Sequence, residues 1–433
     1  MKRFFITFLV LTLTALASAQ DQHTGQAGQV VLANTLTWQD CVQLAARNNP
    51  DLFSALLASE SSRALYLKSY NGILPQVSLS NSYSDSKTSS LGESKSWTAE
   101  GNASLDLIDF GQWASIQSAS ASFKQSQANY QVAATTALLN LYKAFADLLY
   151  AQEEVQVNTA IRDTWKINAD MIDLRYKSGS ESKGDNLNTQ ASFLQARLNL
   201  EQAGRDIQVA QQQLSQVLGK DEFNALVVTG TWSASPAPNP PPDFAMLLAK
   251  VPQIQVQEAV VEQAQDAIKL AHSTLWPTLS LNFDKGTQGG SEFPKSPFWT
   301  FSGAVNYPLF GGGPTSTYYA TQSAQRAYEK ARQDLRSLRN QTLSNLESAW
   351  SSFVQAQDQI RVQRAFLDSD RQRKAEYDIL YQSGLMSFQE WILVVNEYVN
   401  FQTSFLRAEQ NLILADAQWR FATGELLASE PMR

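Results

Sequence analysis

The chain has 433 residues, of which 34 are basic and 41 acidic, giving a formal net charge of −7 without a concentrated basic block, so nucleic acid is not an expected partner. A single cysteine excludes an intrachain disulfide, and the two histidines, His23 and His272, lack the cysteine or histidine neighbours of a metal site, so neither metal nor other cofactor is expected. Length alone would allow two or three domains.

Met1-Lys2-Arg3, an apolar stretch over 4–17 and Ala17-Ser18-Ala19 predict a cleaved secretory signal over residues 1–19, with the mature chain beginning near Gln20. No later segment approaches the roughly 18 consecutive apolar residues of a membrane-spanning helix, which leaves a β-barrel open. Cys41 sits within Trp38-Gln39-Asp40-Cys41-Val42-Gln43-Leu44, too far from the cleavage site for the usual lipid attachment. It reads as a small buried helix residue.

Asn49-Pro50-Asp51-Leu52 opens a helical run that ends at Leu74-Pro75, where a strand begins. Val77, Leu79 and Tyr83 alternate there with serines. A polar tip over 85–96 leads into a second strand, in which Trp97, Ala99, Gly101, Ala103, Leu105 and Leu107 alternate with Thr98, Glu100, Asn102, Ser104 and Asp106. After Phe110-Gly111, residues 112–178 contain no glycine or proline. Leu138, Leu141, Tyr142, Phe145 and Leu148 keep helical three-and-four spacing within that run, so one helix of roughly 100 Å is predicted. Tyr176-Lys177-Ser178-Gly179 ends it, and a further helix runs to Gly219.

Ser235-Pro236-Ala237-Pro238-Asn239-Pro240-Pro241-Pro242 is a stiff connector that no helix can cross, and the same order then returns. Val251-Pro252-Gln253-Ile254 matches the opening of the first half, and Trp276-Pro277 matches Leu74-Pro75 at the same offset. Leu279, Leu281 and Phe283, then Trp299, Phe301, Gly303, Val305, Tyr307 and Leu309, supply the second pair of alternating strands. A polar tip over 285–297 joins them. Phe310-Gly311, a second glycine- and proline-free run over 315–383, Tyr381-Gln382-Ser383-Gly384 and Gly424 complete the correspondence. The repetition predicts a first structural repeat over 20–235, a connector over 236–242, a second repeat over 243–426 and a tail over 427–433.

The expected fold is mainly α, with duplicated long-helix and β-hairpin units and four strands per protomer. Strands of this length, apolar on one face, polar on the other and bounded by aromatics, have the pattern of an outer-membrane barrel with a wet lumen. Four strands cannot close a barrel and lipid tolerates no open edge, so the protein must oligomerise. Two, three or four copies satisfy that requirement equally. The crowding of small residues at the helix starts, as in Ser118-Ala119-Ser120-Ala121-Ser122 and over 321–324, suits close packing of many helices.

No nucleophile and base can be paired, and Gly311-Gly312-Gly313-Pro314 lacks the Lys-Ser/Thr of a phosphate loop, so the chain is not expected to be an enzyme. The competing class is a surface-exposed coiled-coil structural protein or adhesin, which would use the helices but not the duplicated hairpins.

This order of elements, with Leu36-Thr37-Trp38-Gln39-Asp40-Cys41-Val42-Gln43-Leu44-Ala45-Ala46-Arg47-Asn48-Asn49-Pro50-Asp51-Leu52 at its start, resembles the TolC-like outer membrane efflux proteins over most of the mature chain. The resemblance implies a homotrimeric channel-tunnel, its barrel in outer-membrane lipid and its helices in the periplasm. It would work with a periplasmic adaptor (membrane fusion protein) and an inner-membrane transporter, in efflux or type I secretion. It further implies adaptor-docking turns at Ser178, Gly179 and Ser180 and at Ser383, Gly384 and Leu385, and a periplasmic gate formed by Asp185, Glu390 and Tyr381. Asp185 and Glu390 each follow a turn glycine by six residues and would form a single acidic ring, since Leu393 occupies the second acidic position. Met386 stands where the family often has an arginine, so the closed state is expected to rest on Tyr381 with Asp185.

Overall fold

The computed structural model describes residues 34–88, 92–220, 225–230, 236, 242–308 and 315–425. The signal segment, His23, most of the proline-rich connector, Phe310 with the 311–314 glycine run, and the 427–433 tail lie outside the described residues.

In chain order the elements are β1 (Asn34–Leu36), α1 (Trp38–Asn48), α2 (Pro50–Ser69), β2 (Gln76–Thr88), β3 (Gly92–Ile108), α3 (Phe110–Lys177), α4 (Lys183–Val217), β4 (Leu226–Val228), α5 (Phe244–Leu247), α6 (Pro252–Ser273), β5 (Thr278–Gly289), β6 (Ser296–Asn306), α7 (Ser316–Gln382) and α8 (Phe388–Thr423). Pro50 and Pro252 each occupy a first-turn position, where the missing N–H costs no helix bond. The two long helices form without a break. Asp109 caps α3 by accepting from the Gly111 and Gln112 amides at 2.7 and 3.3 Å, which carries the helix start back across Gly111.

The four long strands form one antiparallel sheet in the order β2-β3-β5-β6. Register brings the apolar positions onto one face: Val77 opposes Ala103, which opposes Phe283, which opposes Phe301. The other face carries Ser78, Asn102, Asp284 and Thr300 in the neighbouring row. Leu79 is 89% exposed and Val305 72% exposed, so the protomer leaves this apolar face uncovered. β2 and β6 are the two edges, and among the described residues neither pairs on its outer side. The strands run further than their apolar alternation suggests. Residues 85–88, 92–96, 285–289 and 296–297, expected in the tips, continue the ladder. Backbone pairing persists where both faces are polar, helped by opposite charges in register at Asp85 and Lys95.

Two short strands were not foreseen. β1 and β4 pair in parallel, and Gln152 of α3 acts as a third backbone, donating to the Val228 carbonyl at 2.9 Å and accepting from its amide at 3.0 Å. Around this junction lies the largest core, where Leu138, Leu141, Phe145 and Leu148 of α3 meet Cys41 of α1, Leu214 of α4 and Ala417 of α8. Cys41 is a free, buried thiol whose ionisation burial pushes up to about 12. Ala114 and Ala121 are buried, and nearby Gln263 of α6 donates to Ser122 at 3.0 Å, so small residues at the start of α3 admit a neighbouring helix.

Candidate functional site

The helices converge at two turns far from the sheet. α3 pairs with α4, α7 pairs with α8, and α3 also touches α8, so the two turns close one end of the helical body side by side. Gly179 has φ 80° and Gly384 φ 74°, and no atom lies within 4 Å of a Cβ built at either. Glycine is needed there for the left-handed backbone and not for space. Each glycine lets the next residue close back on its helix, Ser180 onto the Arg175 carbonyl at 2.8 Å and Leu385 onto that of Leu380 at 3.0 Å. The expected docking residues Ser178, Gly179, Ser180, Ser383, Gly384 and Leu385 are all exposed, Leu385 with 76% of its surface free.

Asp185 and Glu390 occupy equivalent helix starts. The Ser182 hydroxyl accepts from the Asp185 amide at 3.1 Å and donates to its carboxylate at 2.6 Å. Ser387 and Glu390 make the reciprocal box, with the Ser387 amide also donating to Glu390 at 3.2 Å. The Ser387 hydroxyl and amide hold the Glu390 carboxyl below the usual carboxylate range. Each of these acids thus has a capping partner within its own turn.

Tyr381 does not meet Asp185. Its hydroxyl donates to Glu181, in the first turn, while the Arg175 guanidinium lies 4.4 Å from its ring centre. Arg175 also donates to the carbonyls of Tyr381 at 3.1 Å and Gln382 at 3.3 Å, and it stands 3.8 Å from Glu181. The reason is local: Ser182 engages Asp185, whereas Glu181 precedes the helix and is free to turn toward α7. Burial, with Glu181 beside it, pushes the Tyr381 hydroxyl's ionisation well above its usual range. Trp391 of α8 stacks on the Tyr381 ring at 4.5 Å and 9°, and its indole N–H donates to Asp378 at 2.8 Å. Arg175, Glu181 and Trp391 were not singled out in the sequence. Arg175 sits directly before the Tyr-x-Ser-Gly signature of the first turn, which was the one available hint. Leu393, one turn beyond Glu390, is exposed.

The family model described as "Outer membrane efflux protein" matches residues 41–220 and 245–429, both halves of the duplication. The chain is 21% identical over 399 residues to the outer membrane protein TolC of Vibrio cholerae, covering 90% of each. It is 22% identical over 352 residues to the alkaline protease secretion protein AprF of Pseudomonas aeruginosa, covering 77% of this chain and 73% of that one. Among solved structures, CusC, described in terms of folding and transmembrane channel formation, superposes with a TM-score of 0.81 at 17% identity over 92% of this chain and 95% of that chain.

Proposed function

Because this chain belongs to the outer membrane efflux protein family, we propose that it is the outer-membrane exit duct of a tripartite efflux or type I secretion system, passively conducting cargo received from a periplasmic adaptor and an inner-membrane transporter. The exposed apolar face of the four-stranded sheet carries this reading. Such a face is stable in hydrocarbon, and its β2 and β6 edges need strands from sister chains. Three protomers give a twelve-stranded barrel set in outer-membrane lipid.

The turn end is the periplasmic aperture. The exposed Ser178-Gly179-Ser180 and Ser383-Gly384-Leu385 turns dock the adaptor, and Asp185 with Glu390 supplies negative charge around the three-fold axis. The Arg175, Tyr381 and Glu181 cluster holds the two turns of a protomer together and so favours the closed arrangement. The name of AprF connects that relative with protease secretion. Polypeptides and small molecules are both admissible cargo for such a duct.

The test is extraction of the native protein in detergent followed by electrophoresis with and without heating, and then planar-bilayer recording. A heat-modifiable trimer with channel conductance is the expected result. A stable soluble monomer without conductance would instead favour the adhesin reading. Comparing drug and metal susceptibility with the secreted-protein profile after gene deletion then identifies the cargo.

A further inference from the structure

Short of the tips, where Asp85 and Lys95 lie on the same face, the apolar band of the sheet contains one charged side chain that the apolar pattern does not explain. Between the row holding Leu279 and Val305 and the aromatic pair Tyr83 and Trp97, every position on that face is uncharged except Lys285. Lys285 is exposed, opposes Gly101 on β3 and Trp299 on β6, and has no ion-pair partner among the described residues. The charged residues of the opposite face are Glu100, Asp106 and Asp284, all acidic and all across the sheet from it. Asp284 is engaged by the Asn102 amide at 2.6 Å and Glu100 by the Ser80 hydroxyl at 3.3 Å. Among the described residues, no acid on its own face lies within the apolar band to neutralise Lys285.

Its height on the strand indicates what can. Lys285 lies seven residues beyond Thr278, the helix-proximal end of β5, and four before Gly289 at the hairpin end. At about 3.3 Å per residue and a tilt of about 45°, that is about 16 Å up an apolar band about 25 Å tall. The ammonium therefore sits in the half of the membrane nearer the hairpin tips, within reach of the headgroup layer if the stem extends along the sheet. Trp299, 71% exposed, stands beside it, and the Tyr83 and Trp97 rings, 4.7 Å apart, lie toward the tips. Opposite Lys285, Gly101 projects no side chain.

We propose that Lys285, with Trp299 beside it, forms on each protomer a site for the phosphate of an anionic lipid in the outer leaflet, the acyl chains lying against the apolar face. The proposal rests on the membrane-barrel reading given above. It makes the lysine a lipid-selecting contact: a zwitterionic lipid places a cation next to its phosphate, whereas an anionic one offers uncompensated charge.

The experiment is native mass spectrometry of the detergent-extracted trimer titrated with lipid A and, separately, with phosphatidylcholine, on the wild type, Lys285→Met and Lys285→Arg. Methionine keeps the apolar stem and removes the charge, which eases insertion. The wild type and Lys285→Arg should retain lipid A preferentially. Lys285→Met should lose that preference about fivefold per site, the ratio that corresponds to roughly 1 kcal/mol per basic residue at an anionic surface. Inorganic phosphate should not displace the lipid, which separates a lipid site from a free-anion site. Equal lipid preference in the wild type and Lys285→Met trimers overturns the proposal, and means that Lys285 reaches only water or a neighbouring protomer. Failure of the wild type to give a heat-modifiable trimer overturns the barrel reading and the lipid site together.

Discussion

The Tyr381 hydroxyl donates a hydrogen bond to the Glu181 carboxylate, tying the last turn of α7 to the turn before α4. A bond from a buried donor to a charged acceptor contributes about 1.5–3 kcal/mol. Tyr381→Phe removes it while keeping the ring between Arg175 and Trp391. We expect the variant to raise the closed-state current in planar bilayers, and Asp185→Ala to raise it less, because Asp185 bonds its own N-cap serine. Equal currents from the wild type and Tyr381→Phe would mean that this bond does not hold the proposed closed state.

The same bond sets a pH expectation. Tyr381 ionises at a higher pH in the folded protein than the ordinary value of 10.0, chiefly through burial and then through Glu181. A group raised in this way contributes stability that is fully present below about pH 10 and is lost as pH rises through the folded value. The tyrosine-dependent part of the closed state should therefore be flat between about pH 7 and 9 and fail only in stronger alkali. Recording the difference current between wild type and Tyr381→Phe across that range checks it.

Glu390 has two possible roles, and two substitutions separate them. Ser387→Ala breaks the capping box and should lower the thermal stability of the α8 start by about 1 kcal/mol with little effect on ion selectivity. Glu390→Gln keeps a side chain able to complete the box but removes one charge per protomer. It should leave stability nearly unchanged and reduce the preference for cations. If bi-ionic reversal potentials are the same for Glu390→Gln and wild type, the acidic ring plays no part in conduction.

Much of the helical frame was legible because its signals are long or repeated. Residues 112–178 and 315–383 lack any breaker, and the structure carries single helices through nearly all of both. The period-two alternation assigned the sheet faces correctly, since register follows from it. The strand ends were less legible, because polar residues such as Asp85 and Lys95 look like loop yet pair perfectly well in water. β1 and β4 were invisible for another reason: each has three residues, and their stability comes from Gln152 and Gln211, distant positions that reach the backbone of Val228 and Leu226. At the turn end, spacing from the turn glycine picked out Asp185 and Glu390 as candidates but could not reveal that Ser182 and Ser387 would engage them. Glu181 was left to meet Tyr381.

The repeated glycines differ in what they tolerate. Gly179 needs only its positive φ, so Gly179→Ala should cost about 1–2 kcal/mol. At Gly219, with φ 67°, an added Cβ would lie 2.1 Å from the Asn48 carbonyl oxygen, where α4 ends against the α1–α2 junction. Gly219→Ala must displace backbone as well as accept the strain. Thermal unfolding should show a clearly larger loss for Gly219→Ala, and matching losses would mean that this contact relaxes freely.

The two faces of β2 give a direct test of which side meets lipid. Leu79 and Ser80 are adjacent, and Leu79 lies on the apolar face while Ser80 lies beside Glu100 on the polar one. A lysine facing hydrocarbon costs about 2–4 kcal/mol near the midplane of a barrel, and trimerisation repeats that cost at three sites. Leu79 shares its row with Lys285 across Gly101, so Leu79→Lys gives each protomer a second lysine on the lipid face and should destabilise the heat-modifiable trimer. Ser80→Lys places its charge in water next to Glu100, so its trimer should survive and conduct, with its selectivity shifted toward anions. The reverse pattern, a stable Leu79→Lys trimer and a lost Ser80→Lys trimer, would put lipid on the polar face and invert the barrel reading.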